Sequence, residues 1–352
     1  MTAPTERILK QFADQATVCD KLGSPFTARL CRVLAARLDM TSRFGARILD
    51  WPGDPYADNL ALRACGALHA LARTGWEPQL AAVYPPHDAP EHTLWVAIAD
   101  ALTRHSNFLT DRLSSPPQTN EVARSGLLLG AMLTIAGRTG LPLELYEIGA
   151  SAGLNLGFDA YSYTLGEGRT WGRPDAPLGI DCPWRGAAPP LDAPLRVAGR
   201  HGCDLNPLDP ANAADRERLL SYVWADQAER LQRLTAALKL AAAARRVVDR
   251  ADAADWLDRQ FAAPHPAGVV RVLYHTIVWQ YLPAEVQARI EALLHRLGAA
   301  ATADRPLARV AFEQDGQPAR GGRIDLTLWP EGRTVTLGRG DFHGRWAEWG
   351  SA

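Results

Sequence analysis

Apolar residues recur at helical spacing through the first part of the chain and then, near residue 141, give way to short apolar runs separated by turns. Segments 6–19, 25–38, 60–73, 93–113 and 119–138 carry the three-and-four spacing of amphipathic helices. Breaks rich in proline at 51–55, 84–86 and 115–117 divide them. Ser24 before Pro25 reads as a helix start, serine as cap and proline in the first turn. No stretch before residue 141 alternates with period two.

Beyond that point the pattern predicts strands at 143–148, 195–198, 246–248, 269–274, 307–312, 323–329 and 334–337. Helices are expected at 154–161, 215–244, 253–261 and 284–297. The last two strands are joined by Pro330-Glu331-Gly332-Arg333, a hairpin connection. Strands alternating with helices and ending in an antiparallel hairpin imply an α/β fold, with a mostly parallel, Rossmann-like sheet covered on both faces. The expected division is a helical N-terminal region or lid over 1–140 and an α/β domain over 141–352. Residues 164–195, rich in Gly, Pro and Trp, read as an insertion in that domain.

Composition narrows the function classes. The chain has 352 residues, enough for one large or two modest domains, and 47% hydrophobic content, ample for a core. Its 38 basic and 39 acidic residues balance to −1, so no basic stripe argues for nucleic acid. Cys19, Cys31, Cys65, Cys182 and Cys203 are scattered, with no CxxC pair, and support neither a zinc site nor a disulfide framework. The N-terminus lacks a signal pattern, and no uncharged apolar run approaches a membrane span, so the expected location is cytoplasmic. The expected partner is a small-molecule or protein substrate; the oligomeric state is not legible.

The chemistry concentrates in Glu147-Ile148-Gly149-Ala150-Ser151-Ala152-Gly153, set between a predicted strand and a predicted helix. Ligands of open α/β sheets bind at the carboxyl edge of the strands, where small residues admit a ligand to the backbone. A dinucleotide fingerprint would be Gly-x-Gly-x-x-Gly with its acid about 20 residues later. Here the acid precedes the first glycine, which resembles the first motif of class I S-adenosylmethionine-dependent methyltransferases, with Ser151 in place of the middle glycine. The same residues spell Gly-Ala-Ser-Ala-Gly, a formal match to the nucleophile elbow of serine hydrolases. Against the elbow stand the helical character of the preceding region and the carboxylate two residues before Gly149. A plain packing turn is the third reading.

Several segments together resemble the bacterial family known as domain of unknown function 2332, over nearly the whole chain. They are Gln118-Thr119-Asn120-Glu121, the Glu147–Leu156 stretch, Gly202-Cys203-Asp204-Leu205-Asn206-Pro207-Leu208-Asp209, Tyr222-Val223-Trp224-Ala225-Asp226-Gln227, Ile277-Val278-Trp279-Gln280-Tyr281 and His343-Gly344-Arg345-Trp346. The resemblance implies a methyltransferase-type Rossmann core and brings no established reaction with it.

On that layout the expected cofactor is S-adenosylmethionine. Glu147, Gly149, Ser151, Gly153, Asn155 and Asp252 form its pocket, Asp252 doubling as a helix cap. His275, Asp204 and Gln280 are the candidates for proton handling or acceptor orientation. Two have a structural alternative: an interior histidine for His275, Asx-turn chemistry for Asp204. Asn120, Glu121, Asn206, Asp209 and His343 are expected on the substrate or lid side, with no metal. Trp279 and Tyr281 read as core residues. The alternatives are a ligand-binding or interaction module that kept the fold without the chemistry, and a serine hydrolase.

Overall fold

A computed structural model describes residues 3–350. The chain divides into two compact units, one formed by residues 1–119 and 213–232, the other by 120–212 and 233–352.

The first unit is helical: α1 Ala3–Lys21, α2 Pro25–Arg37, α3 Arg43–Leu49, α4 Leu60–Thr74, α5 Pro78–Ala81, α6 Glu91–Arg104 and α7 Ser106–Leu113. Its core gathers Phe12, Leu34, Phe44, Leu68 and Leu102 around α4. The α9 helix, Ala213–Tyr222, closes on α4: His69 Nδ1 lies 3.1 Å from the Ser221 carbonyl. Sequence periodicity joined two pairs of helices that are separate. The run at 93–113 breaks at His105, whose ring meets Glu77 at 3.2 Å. The run at 215–244 breaks before α10, Ala228–Ala243, because Asp226 is spent elsewhere. Its carboxylate accepts the Phe26 N–H at 2.8 Å and bonds the Ser24 hydroxyl, so Asp226, not Ser24, supplies the cap of α2.

The second unit opens with α8, Ser125–Thr139, which enters through a 3₁₀ turn at Val122–Arg124. β1, Leu143–Ile148, follows. Residues 162–186, overlapping the expected insertion, carry β2 Ser162–Thr164, β3 Thr170–Trp171 and β4 Gly179–Asp181, which form a small sheet of their own, and β5 Trp184–Gly186. β6 is Val197–Asp204, longer than the pattern predicted, and β7 is only Asp249–Arg250. α11 Ala253–Gln260, β8 Val270–Thr276, α12 Ala284–Ala299, β9 Leu307–Glu313, β10 Gly322–Trp329, β11 Arg333–Gly340 and β12 Ala347–Trp349 complete it. Among the described residues nine strands make one sheet, in the order β5-β12-β11-β10-β9-β8-β1-β6-β7. The β7-β6-β1-β8-β9 portion is parallel, and β9, β10, β11 and β12 pair antiparallel. The sheet is thus mostly parallel with an antiparallel edge, and the predicted hairpin is β10–β11.

The register sorts side chains onto two faces. Glu147 pairs with Tyr274, and Leu145 with Val272, so these four share one face. Tyr146, Ile148 and Leu273 point the other way, into a cluster with Trp256, Leu257, Ile290 and Leu294 of α11 and α12. Among the described residues no helix is long and apolar enough to cross a membrane.

Candidate functional site

The chain leaves β1 through a turn that only special backbone conformations allow. Gly149, Ser151 and Gly153 all have positive φ, at 68°, 55° and 67°. A side chain at Gly149 would also stand 2.4 Å from the Val278 methyl, so glycine is required twice over. Ser151 holds a left-handed conformation that costs a residue with a Cβ roughly 1–2 kcal/mol. Strain kept in such a position is a mark of functional sites.

Two side chains from outside the turn hold it. Asp204, at the end of β6, accepts the Ser151 N–H at 2.9 Å on one oxygen and the Asn206 N–H at 2.8 Å on the other. The buried Asn120 takes the N–H groups of Ala152 and Leu154 on its Oδ1, at 3.3 and 3.0 Å. The Gly153 N–H goes to the Ala150 carbonyl at 2.7 Å. The helix expected over 154–161 is a six-residue 3₁₀ segment, Asn155–Ala160, kinked at Gly157. The 3₁₀ segment thus replaces the expected helix, and the turn's N–H groups from Ser151 to Leu154 are all taken. Two of its polar atoms do lack partners: Ser151 Oγ and Asn155 Oδ1 are buried without a hydrogen bond.

Beneath the turn lies Glu147, 2% exposed. Its Oε2 accepts the Tyr274 hydroxyl at 3.0 Å. Burial pushes the carboxyl up to about 8, against smaller opposing effects of that hydrogen bond and of Arg246 and Arg124. Near neutral pH the group is mostly a carboxylic acid. Arg246 spans the neighbouring gap, its Nη1 3.4 Å from the Gly153 carbonyl.

Other predicted residues join this edge through a chain of contacts. The Glu121 carboxylate accepts the Ala123 N–H at 3.3 Å and faces Arg233 at 3.6 Å, and the Asn155 amide donates to the Glu121 carbonyl at 3.4 Å. Arg124 ties the strand end to the C-terminal segment: Nε donates to the Phe342 carbonyl at 2.8 Å and Nη1 to the Thr276 carbonyl at 3.1 Å. Asp341 organises that segment, accepting the His343 N–H at 2.9 Å and both arms of Arg345 at 2.9 and 2.8 Å. His343 is half-buried there. Asn206 and Asp209 are exposed; Asn206 Oδ1 accepts from Arg250 at 3.2 Å and Asp209 from the Ala211 N–H at 2.8 Å.

Three predicted residues stand elsewhere. Asp252 caps α11, accepting the N–H groups of Ala254 and Asp255 at 2.9 and 3.2 Å. His275 lies on the face opposite Glu147, because neighbouring strand residues point to opposite sides. Its Nδ1 is 2.6 Å from Glu313 Oε1, and Arg309 donates to its Nε2 from two nitrogens at 3.2 Å. With the arginine donating, Nε2 must be the acceptor and Nδ1 carries the proton. Burial lowers the affinity of this imidazole for a second proton. Both ring nitrogens are engaged, so His275 is a satisfied interior histidine stacked on Trp279. Gln280 is exposed, and Tyr281, expected in the core, is 72% exposed.

The sequence reading missed Tyr274, Arg246 and Arg124. Tyr274 was reachable, since it sits opposite Glu147 once the parallel register is known; the two arginines carry no local signal. No group of three or more His, Cys, Asp or Glu is placed to hold a metal among the described residues.

No curated protein and no solved structure matches the chain. The family described as "Uncharacterized protein conserved in bacteria (DUF2332)" matches residues 9–349, and the chain belongs to that family.

Proposed function

We propose that the carboxyl edge of β1, β6 and β8 binds S-adenosylmethionine and that the protein transfers its methyl group to a small-molecule or protein acceptor. The order β7-β6-β1-β8-β9 reverses between β1 and β8, and open α/β sheets bind ligands at such a switch point. That order supports a Rossmann-like core.

The observation that carries the reading is where the turn's N–H groups go. Asp204 and Asn120 take those of Ser151, Ala152 and Leu154, and a carboxylate on the turn repels phosphate. A dinucleotide, which needs free N–H groups for its pyrophosphate, is disfavoured. A nucleoside cofactor without phosphate and with a cationic centre fits an edge that bears the Asp204 carboxylate and a neutral Glu147 carboxyl. The unpaired Ser151 Oγ and Asn155 Oδ1 supply further polar contacts for it.

When bound, the cofactor supplies an electrophilic methyl group. The chain's part is then mostly to position an acceptor in line with it and to exclude water. His275 is committed to Glu313 and Arg309, and both oxygens of Asp204 accept backbone N–H groups, so these side chains position the site and neither is free to handle a proton. The hydrolase alternative finds no support, since Ser151 Oγ has no histidine within hydrogen-bonding reach.

Calorimetric titration with S-adenosylhomocysteine, with NAD as control, tests the proposal. Saturable binding of the first ligand alone, lost in Gly153→Arg with the fold intact by circular dichroism, is the expected result. Absence of heat at millimolar S-adenosylhomocysteine overturns it. Binding with no methyl transfer to any acceptor class would favour the ligand-binding module instead.

A further inference from the structure

We propose that the second unit holds another binding site, at the amino edge of its parallel strands, for a carboxylate carried on a compact apolar body. A cavity of about 470 Å³ is lined there by Phe261, Pro264, His265, Arg271, Arg305 and Leu307. Arg271 and Leu307 stand at the starts of β8 and β9, whereas the Gly149–Gly153 turn follows the end of β1. The two sites therefore occupy opposite edges of one sheet.

Arg271 is the centre of the argument. It is 4% exposed, and its guanidinium lies over the Phe261 ring at 5.1 Å. Nη2 donates to the carbonyls of Ala263 and Pro264 at 3.1 and 3.4 Å. Nε is buried without a hydrogen bond, and the carboxylate that faces it, Glu144, stays 3.8 Å away. Glu144 offsets the charge at ion-pair distance, but the buried Nε–H still lacks a hydrogen bond, and an incoming carboxylate oxygen would supply one. From the other side Arg305 donates to the His265 carbonyl at 3.1 Å. The two arginines thus consume the three consecutive carbonyls of this loop, and no carboxylate side chain lines the cavity.

The remaining wall is apolar: Phe261 and Leu307 are buried, and Leu297, Ala300 and Ala301 complete it. Pockets of this size, apolar with a few convergent polar groups, hold small organic ligands. The cavity's two guanidiniums already face Glu144 at 3.8 Å and Asp304 at 3.2 Å, so a singly charged carboxylate adds the least uncompensated charge. A phosphate dianion would be left under-neutralised in the same surroundings. Hence the ligand class is an aromatic or short aliphatic carboxylate.

Fluorine NMR with 4-fluorophenylacetate, and with 4-fluorophenylacetamide as neutral isostere, tests the site on the full chain. The acid should bind saturably at millimolar concentration, and the amide about tenfold more weakly, as expected for loss of a charged hydrogen bond. Ala300→Trp, made at an exposed lining position so that the fold survives, should abolish binding by filling the cavity. Gly153→Arg should leave binding unchanged, which separates this site from the nucleoside site. Equal binding of acid and amide, full binding by Ala300→Trp, or no binding of the acid by the wild-type chain would each overturn the proposal.

Discussion

The Tyr274 hydroxyl donates to Glu147 Oε2 at 3.0 Å across the β1–β8 pair, on a face of the sheet that buries both side chains. The bond stabilises the ionised carboxylate, yet desolvation outweighs it and the acid titrates near 8. One hydrogen bond does not compensate a carboxylate for the loss of water.

Stability should therefore fall as pH rises through a defined window. The carboxyl has its ordinary value of 4.5 in the unfolded chain and about 8 in the folded one. Between these values the folded state binds the extra proton, so raising pH favours unfolding, and the effect is complete above about 8. A tenfold difference in proton affinity between the two states is worth about 1.4 kcal/mol, so the loss amounts to a few kcal/mol. Urea denaturation across the window should show this slope in the wild type and a flatter one in Glu147→Gln. Identical slopes would remove the buried acid from the account.

His275 should behave in the opposite sense. Burial holds its imidazole below the ordinary 6.5, so acidification below that value charges the unfolded chain first and costs stability. Nitrogen-15 NMR should find the neutral ring with its proton on Nδ1, since Arg309 donates to Nε2 at 3.2 Å. Arg309→Leu strands the buried His275 Nε2 and frees the half-exposed Glu291, and should destabilise by about 1–3 kcal/mol. Ligand binding at the Gly149–Gly153 turn should survive that change, because His275 and Glu147 occupy opposite faces. Loss of binding with the fold intact would return His275 to the site.

Much of this was legible in the sequence, for physical reasons that differ residue by residue. The strand at 143–148 and the hairpin joined by Pro330–Arg333 announce themselves through apolar runs and turn residues, which are local properties. Gly149 was legible because left-handed backbone and close approach to Val278 leave glycine no substitute. β7 was legible only in part: the strand expected at 246–248 lies instead at Asp249–Arg250, two exposed residues paired at Cys203 and Asp204 that leave no periodic trace. The partner of no polar group was legible: Asp226 capping α2 and Asn120 holding a turn more than thirty residues away depend on contacts that only the folded chain creates. Asp204 reads in the sequence as a proton-handling candidate or an Asx-turn residue; its bond to the Asn206 N–H is Asx-turn chemistry, but its grip on the Ser151 N–H has no sequence signature.

Asn120 and Asp204 should act together on the turn. Asn120→Ala strands the N–H groups of Ala152 and Leu154, and Asp204→Ala strands that of Ser151. Each change should cost about 1–3 kcal/mol, the penalty for a buried donor left unmet. Because both fix one five-residue turn, the double variant should lose less than the sum of the two. Strict additivity in a thermal-denaturation cycle would show that the turn does not move as a unit.

Ser151 offers the sharpest separation of function from stability. Its left-handed backbone and its buried, unpaired hydroxyl both work against the folded state. Ser151→Gly removes both, at the expense of about 0.5–1 kcal/mol of added freedom in the unfolded chain. The backbone relief alone is roughly 1–2 kcal/mol, so the variant should melt at a higher temperature than the wild type. A residue retained only to pack the turn would have no reason to carry that cost. If the hydroxyl instead serves a ligand, Ser151→Gly should bind S-adenosylhomocysteine more weakly while being more stable. Ser151→Ala keeps the strained backbone and loses only the hydroxyl; it should share the binding defect without the full gain in melting temperature. Undiminished binding by both variants would make Ser151 a bystander, its strain explained by the path of the chain alone.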